Sequence, residues 1–523
     1  MPGLLAAPSF APIDVTKLNR PRAVTEEVVV GKDLLELLAG AMYADPLTIY
    51  REYIQNSADA IDLVRERGLS TDDPLGVVIT LDRTLRSIFI RDNGASIPRR
   101  EFVRRLTAIG ASGKRGKGLR GFRGVGRLSG LGYCQELVFR GRADGDDAVT
   151  EVVWDGKRLR DLLRDATYVG DLASLVRGIV EVRVVPPGTY PARFFEVELR
   201  KVSRLRGDLL LNDESIRTYL SQVAPVPFHP TFQLGPQISA FLRARGVQEP
   251  VAVTFDGDLE PIHHRARDKI AFSEKLFDVV HSVEFLEFLG LDGEVAAFGW
   301  LLDHAYLGAV PRRLGLGGIR LRAGNIQVGG EAALGPLFAE PRFASWAIGD
   351  IHIASPQIIP NARRDEFEAG VHYAFLQDEL TILTKRITQV IRDRSLARKR
   401  MRTAQFHLGM ADQWLDHAHE GALPVAVSVH VRRIVDAHIK DVQHEIRKLS
   451  EAVPEVNALK SHVRNLTVRA ARLFHDEEAR QVGPRSAQDK AINVALRVIL
   501  EHASSPQAGL AMSKRVLSAF EIS

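Results

Sequence analysis

Between Asp45 and Asp62 the chain reads DPLTIYREYIQNSADAID. A helix beginning near Leu47 places Glu52, Asn56 and Asp59 at i, i+4 and i+7, on one stripe of its surface. Tyr50, Tyr53, Ile54, Ile61 and Val64 make up its apolar remainder. A carboxylate one turn from a carboxamide suits Mg²⁺ chemistry, because the Asn oxygen can hold the cation while the Glu polarises a water. The same stripe can also be the solvated face of an ordinary amphipathic helix.

Two later stretches answer to this helix. A strand-like run, Ser87 to Ile90, leads into RDNGASIP, where Asp92 stands at a strand end and Gly94 allows a tight turn with close backbone approach. A carboxylate there can accept a hydrogen bond from an exocyclic amine such as that of adenine. From Ile109 to Leu131 the chain is dense in Gly, Lys and Arg, suited to bringing N–H groups and cations against a polyphosphate.

This order of motifs resembles the GHKL ATPase superfamily. Within it, Thr25 to Asp62 is most similar to the opening of the Hsp90-like chaperones of the HtpG type. The resemblance implies an α+β chain: a GHKL (Bergerat) α/β sandwich, an S5-like α/β middle domain and a C-terminal helical region. The corresponding boundaries are an arm over 1–24, an ATP-binding domain over 25–212, a middle domain over 213–377 and helices over 378–523. It implies an Mg²⁺-dependent ATPase whose conformational cycle acts on protein clients. Glu52 would orient and deprotonate the attacking water, Asn56 hold Mg²⁺ and Asp92 read the adenine, with Asp59, Ala60 and Gly94 beside them. Ser112, Lys114, Lys117, Gly121, Phe122, Gly124, Val125 and Gly126 would close over the phosphates, and Thr189 of a Gly-Thr pair would face the nucleotide. A basic side chain from the middle domain reaches the γ-phosphate in the family; Arg363 and Arg364 are the candidates, with Arg312 and Arg313 as the second pair. Ser96 departs from the pattern, replacing a Gly of the second motif and reducing backbone freedom there. The rival within the superfamily is a nucleic-acid-associated ATPase of the MutL or MORC kind, favoured by the basic lid and by the arginines between Arg392 and Arg402.

At 523 residues the chain exceeds one hydrophobic core and calls for about three domains. A formal charge of +5 permits a nucleic-acid partner without arguing for one. The single cysteine, Cys134, excludes an intramolecular disulfide and fits a reducing cytoplasm. No uncharged apolar run reaches the roughly 18 residues of a membrane span. The sixteen histidines show no ligand spacing with a partner carboxylate, which argues against zinc. No P-loop can be read, and the match to G-x-G-x-x-G at Gly116 to Gly121 follows a helix-like stretch where a dinucleotide fold requires a strand. From Asp378 onward apolar residues recur at helical spacing, and a homodimer interface is one outlet for their faces.

Overall fold

The computed structural model describes residues 45–69, 73–109, 126–165, 167–168, 170–205, 207–420, 423–449, 454–475 and 486–520. The N-terminal arm, the helix expected over Gly31 to Tyr43 and most of the glycine-rich segment lie outside the described residues. The chain divides into two compact units, one of residues 1–227 with 248–264, the other of 228–247 with 265–523.

The first unit is a sheet with helices packed on one face. Its strands are β1 (Gly76–Asp82), β2 (Ser87–Asp92), β3 (Glu136–Arg142), β4 (Val149–Asp155), β5 (Val180–Val185), β6 (Phe194–Arg200) and β7 (Ala252–Phe255), in the order β5-β4-β3-β6-β2-β1-β7. Side chains alternate across a strand, so register decides what each face carries. Ile79 pairs with Ile90, Ile90 with Val197, Val197 with Phe139 and Phe139 with Val152, which makes one face continuously apolar. Helix α1 (Thr48–Arg67) joins that core through Tyr50, Tyr53, Ile54, Ala58 and Ile61, together with Phe102 of α2 (Arg99–Thr107). Helices α3 (Gly156–Arg164), α4 (Leu172–Ile179) and α5 (Asp213–Val223) complete the layer through Leu159, Leu175, Ile216 and Leu220. The opposite face carries charge instead. Arg140 there bonds Glu151 at 2.6 Å, Glu196 at 2.8 Å and Glu198 at 2.5 Å.

The strand-like runs Gly76 to Leu81, Ser87 to Arg91, Val149 to Trp154, Ile179 to Val185 and Phe194 to Leu199 stand within one residue of the observed bounds, while the run Glu136 to Phe139 stops three residues short of the end of β3. The strand-like run Pro250 to Phe255 falls by sequence in the middle domain expected over 213–377, but it forms β7 and pairs in parallel with β1, so it extends the first sheet and not the second. Its side chains explain why: Val251, Val253 and Phe255 are buried in the α1 core. Sequence spacing carries no information about a pairing with a strand some 170 residues earlier.

The second unit holds α6 (Gly235–Ala244), β8 (Lys269–Ala271), β9 (Phe277–Leu289), β10 (Val295–His304), β11 (Gly318–Ala323), β12 (Ile326–Val328) and β13 (Ile348–Ile353), with sheet order β12-β11-β13-β10-β9-β8. Helix α7 (Val371–His419) follows, then α8 (Val425–Arg447), α9 (Pro454–Leu473), α10 (Ala487–His502) and α11 (Pro506–Ala519). The 49-residue α7 serves two cores. Leu376, Leu380, Leu383, Ile387 and Ile391 pack with residues of the sheet, while Ala404, Leu408, Ala411 and Leu415 pack with α8 to α11. Between these stripes lies the basic stretch, and most of its cations are already engaged. Arg392 Nε donates to Glu340 at 2.8 Å, Arg394 pairs with Asp303 at 2.7 Å, Arg398 donates to the Tyr306 carbonyl at 2.5 Å and Arg400 to that of Lys448 at 2.8 Å. Among the described residues, no helix is long and apolar enough to cross a membrane.

Candidate functional site

In β2 the apolar inward residues Ile88 and Ile90 are followed at the same parity by Asp92, so the strand's alternation carries a carboxylate to the face that α1 covers. Asp92 is 2% exposed. Its carboxylate accepts a hydrogen bond from the Ser57 hydroxyl on α1 and from the Gly94 N–H at 3.0 Å. Burial pushes its pKa up to about 7, against the pull of those two donors. The turn after it lies directly on α1. Ala95 N–H donates to the Ala60 carbonyl at 2.9 Å, and a Cβ on Gly94 would stand 2.7 Å from the carbonyl carbon of Ala60. Glycine is required here for close approach.

One and two turns back along α1, Asn56 is half-buried and Glu52 is 8% exposed. Arg51 donates to Glu52 Oε1 at 3.1 Å. The other oxygen, Oε2, faces Gly126, where a Cβ would approach to 2.2 Å, so this glycine leaves room for the carboxylate. Asp59 is 5% exposed. Glu52 and Gly126 thus meet at one end of α1, while Asp92, Gly94 and Ala60 meet further along it. Ser112, Lys114, Lys117, Gly121, Phe122, Gly124 and Val125 lie outside the described residues. Thr189 is exposed in the turn before β6, whose residue Phe195 pairs with Asp92.

Three participants escaped the sequence reading. Ser57 is the donor that holds Asp92, and Arg51 grips Glu52. Tyr53 anchors the segment beginning at Gly126, since its hydroxyl donates to the Arg127 carbonyl at 3.1 Å and accepts from Gly130 N–H at 3.0 Å. Tyr53 read only as apolar filler, and nothing local signals its long-range bonds. Arg127 also donates to the Ala108 carbonyl, which ties together the described residues flanking the glycine-rich stretch. Burial lowers the Arg127 pKa to about 10. Ser96 keeps a φ outside the left-handed region, so the backbone there does not need the glycine it replaces. Its buried Oγ has no hydrogen-bond partner among the described residues.

In the second unit Arg363 is exposed, whereas Arg364 is buried at a φ of 55° and its carbonyl accepts from Gly329 N–H at 2.9 Å. Arg312 is exposed and 3.6 Å from Glu331, and Arg313 donates to the carbonyls of Ala271 and Phe272 at 3.1 and 3.2 Å.

The raised pKa of Asp92 has a stability consequence whose sign is opposite to that of a salt-bridged carboxylate. An unfolded Asp releases its proton near 3.9, whereas the folded group holds its proton to about 7. The native state therefore binds more protons across that window, and stability falls as pH rises from about 4 to 7, then levels. Asp92→Asn is expected to remove on the order of 2 kcal/mol of the decline between pH 5 and 8. Chemical denaturation of both proteins at the two pH values measures it, and equal slopes would refute the assigned protonation.

No family model matches the chain. Curated relatives do. The chaperone protein HtpG of Coxiella burnetii (strain RSA 331 / Henzerling II) is 34% identical over 142 residues, covering 24% of this chain and 22% of the relative. HtpG of Enterobacter sp. (strain 638) and of Pectobacterium atrosepticum are each 32% identical over 142 residues, covering 24% of this chain and 23% of their own length. The match therefore spans less than a quarter of the curated relatives' length. Within that segment the chain is related to the HtpG-type, Hsp90-like chaperones.

Proposed function

We propose that the first unit is a GHKL (Bergerat) ATP-binding domain and that the chain is an Mg²⁺-dependent ATPase acting as a chaperone on protein clients. The observation that carries this reading is the convergence on α1 of segments distant in sequence: the turn after Asp92 at Ser57 and Ala60, and Gly126 at Glu52. The HtpG relatives support the chaperone part. Asp92 accepts a hydrogen bond from the adenine amine. Glu52 orients the attacking water and takes its proton, with Arg51 holding the carboxylate in place. Asn56 would hold Mg²⁺ through its side-chain oxygen, a hard donor that suits this ion, and the ion would supply neutralisation of phosphate charge. Phosphoryl transfer rests on positioning and charge neutralisation, so turnover gated by slow conformational steps is expected.

The S5-like reading of the second sheet, the helical C-terminal region and a homodimer through those helices belong to the same proposal. Val494 and Val498, one turn apart on α10, are both exposed and suit such an interface. The nucleic-acid rival loses one of its two supports, because Arg392, Arg394, Arg398 and Arg400 already bond acids and carbonyls of the same unit. ATP turnover of the full chain, alone, with denatured protein and with duplex DNA at physiological salt, tests the proposal. Stimulation by denatured protein supports it; stimulation by DNA alone transfers the reading to the rival, and no turnover removes both.

The arginine pair separates in the same assay. Arg363→Ala is expected to lower turnover by roughly 10², as charge-stabilising arginines do in other nucleotide hydrolases, with little change in nucleotide affinity. Arg364→Ala is expected to lower thermal stability and leave turnover per folded molecule near that of the parent, because its side chain is buried in a left-handed turn. Full activity in the Arg363 variant would move the role to Arg312 or Arg313.

A further inference from the structure

The helical part of the second unit brings together two imidazoles and a carboxylate that the nucleotide reading leaves unused. His407 lies on α7, and His438 and Asp441 lie at i and i+3 on α8, which puts the latter pair on one helix face. His407 Nδ1 stands 2.8 Å from His438 Nδ1 and 3.6 Å from Asp441 Oδ2. One ligand atom from each of the three lies within 4.8 Å of the others.

We infer that His407, His438 and Asp441 form a binding site for a divalent transition-metal ion of the Zn²⁺ class. Tetrahedral ligands at the usual Zn–N and Zn–O lengths of about 2.0–2.1 Å sit roughly 3.3 Å apart, so the two observed separations bracket the value a bound ion requires. Two imidazole nitrogens and one carboxylate oxygen suit Zn²⁺, Co²⁺ or Ni²⁺, while Mg²⁺ and Ca²⁺ prefer all-oxygen sites. Three protein ligands leave a fourth position to water, and the Asp441 side chain, 57% exposed, keeps a route to solvent.

The supporting backbone is rigid where it matters. His407 is flanked on its helix by buried Ala404, Leu408 and Ala411, and His438 by buried Val435, Ile439 and Val442, all in one hydrophobic core. Packing therefore fixes the two ligand-bearing turns before any ion arrives. The edge of Phe406 meets the His407 ring at 5.4 Å between centroids. Because the ligands come from two helices, a bound ion would cross-link α7 to α8 and stabilise the native state by mass action. The sequence argued against zinc because no histidine was seen at ligand spacing from a partner carboxylate; His438 and Asp441 in fact stand three residues apart on one helix face, and the third ligand is 31 residues earlier, on the neighbouring helix.

The alternative use of the same geometry is a plain N–H···N hydrogen bond between two packed histidines. Titration of the full chain, free of any affinity tag, with Zn²⁺ in a calorimeter and with Co²⁺ by visible absorption separates the two. The expected result is one saturable ion per chain, d–d absorption of low-symmetry Co²⁺, and a rise in Tm of a few degrees with Zn²⁺. His438→Gln is expected to weaken binding at least roughly tenfold, and Asp441→Asn to do likewise. Asp441 faces solvent, so its variant tests the site even if His438→Gln does not fold. Absence of saturable binding, or unchanged affinity in the Asp441 variant, would overturn the inference. Neither result depends on whether the chain hydrolyses ATP.

Discussion

Glu52→Ala is expected to bind ATP within roughly tenfold of the parent chain while turning it over at least about 10²-fold more slowly, since a positioned general base supplies about 10² to 10⁴. The structure sharpens this expectation. Glu52 is 8% exposed, its Oε1 is held by Arg51 at 3.1 Å, and its Oε2 faces the space that Gly126 keeps open. The carboxylate is thus fixed in place before any nucleotide binds, which is what a base acting on a single water needs. Glu52→Gln preserves the shape and the contact with Arg51 but removes the proton acceptor, so it should match the Ala variant in turnover. Single-turnover hydrolysis and nucleotide binding measured on the same preparations test the pair. Normal turnover in the Gln variant would show that some other group accepts the proton.

The second large effect is expected from Asp92→Asn, which should abolish detectable nucleotide binding. Carboxylate and carboxamide differ little in shape, but the amide can present N–H where the adenine amine itself donates, turning an attraction into a clash of donors. Loss of binding in this variant is separable from loss of fold. Asp92 is 2% exposed and burial opposes its ionisation, so a neutral Asn relieves that cost and the variant should be at least as stable as the parent at pH 8. Calorimetric titration with ATP, paired with a denaturation curve, reads both quantities. A stable variant that still binds with parental affinity would withdraw the adenine-recognition role from this residue.

Much of the first unit was legible in the chain. Helical spacing announced α1 to within a residue of its start at Thr48, and runs of Val, Ile and Phe announced β1 to β6. These succeeded because the signal is local: apolar residues at period 3.6 or 2 decide which face of an element is buried. The longest strand of the second sheet, β9, was not foreseen. Its sequence, FDVVHSVEFLEFL, mixes Val, His, Ser and Glu, and its pairing with β10 shifts register near both ends, which breaks the alternation a reader relies on. Likewise the basic run from Arg392 to Arg402 read as a solvated stretch or a surface for an anionic partner, because charge counts say nothing about the acids and carbonyls of β10 and its neighbours that come to meet it.

By itself the sequence determined that Glu52, Asn56 and Asp59 share a helix face, that Asp92 ends a strand, and that Gly94 follows it in a turn. Each of these depends only on the geometry of one element. Only the tertiary structure decided that Ser57 and Ala60 receive that turn, that Gly126 yields room to Glu52, that Arg363 is exposed while Arg364 is buried, and that His407 meets His438 and Asp441. These pairings join residues that propensity treats as strangers. They arise because burying the apolar faces of α1, the first sheet, α7 and α8 leaves few arrangements that fill space, and the polar groups carried to the seams must find partners there or be desolvated at a cost.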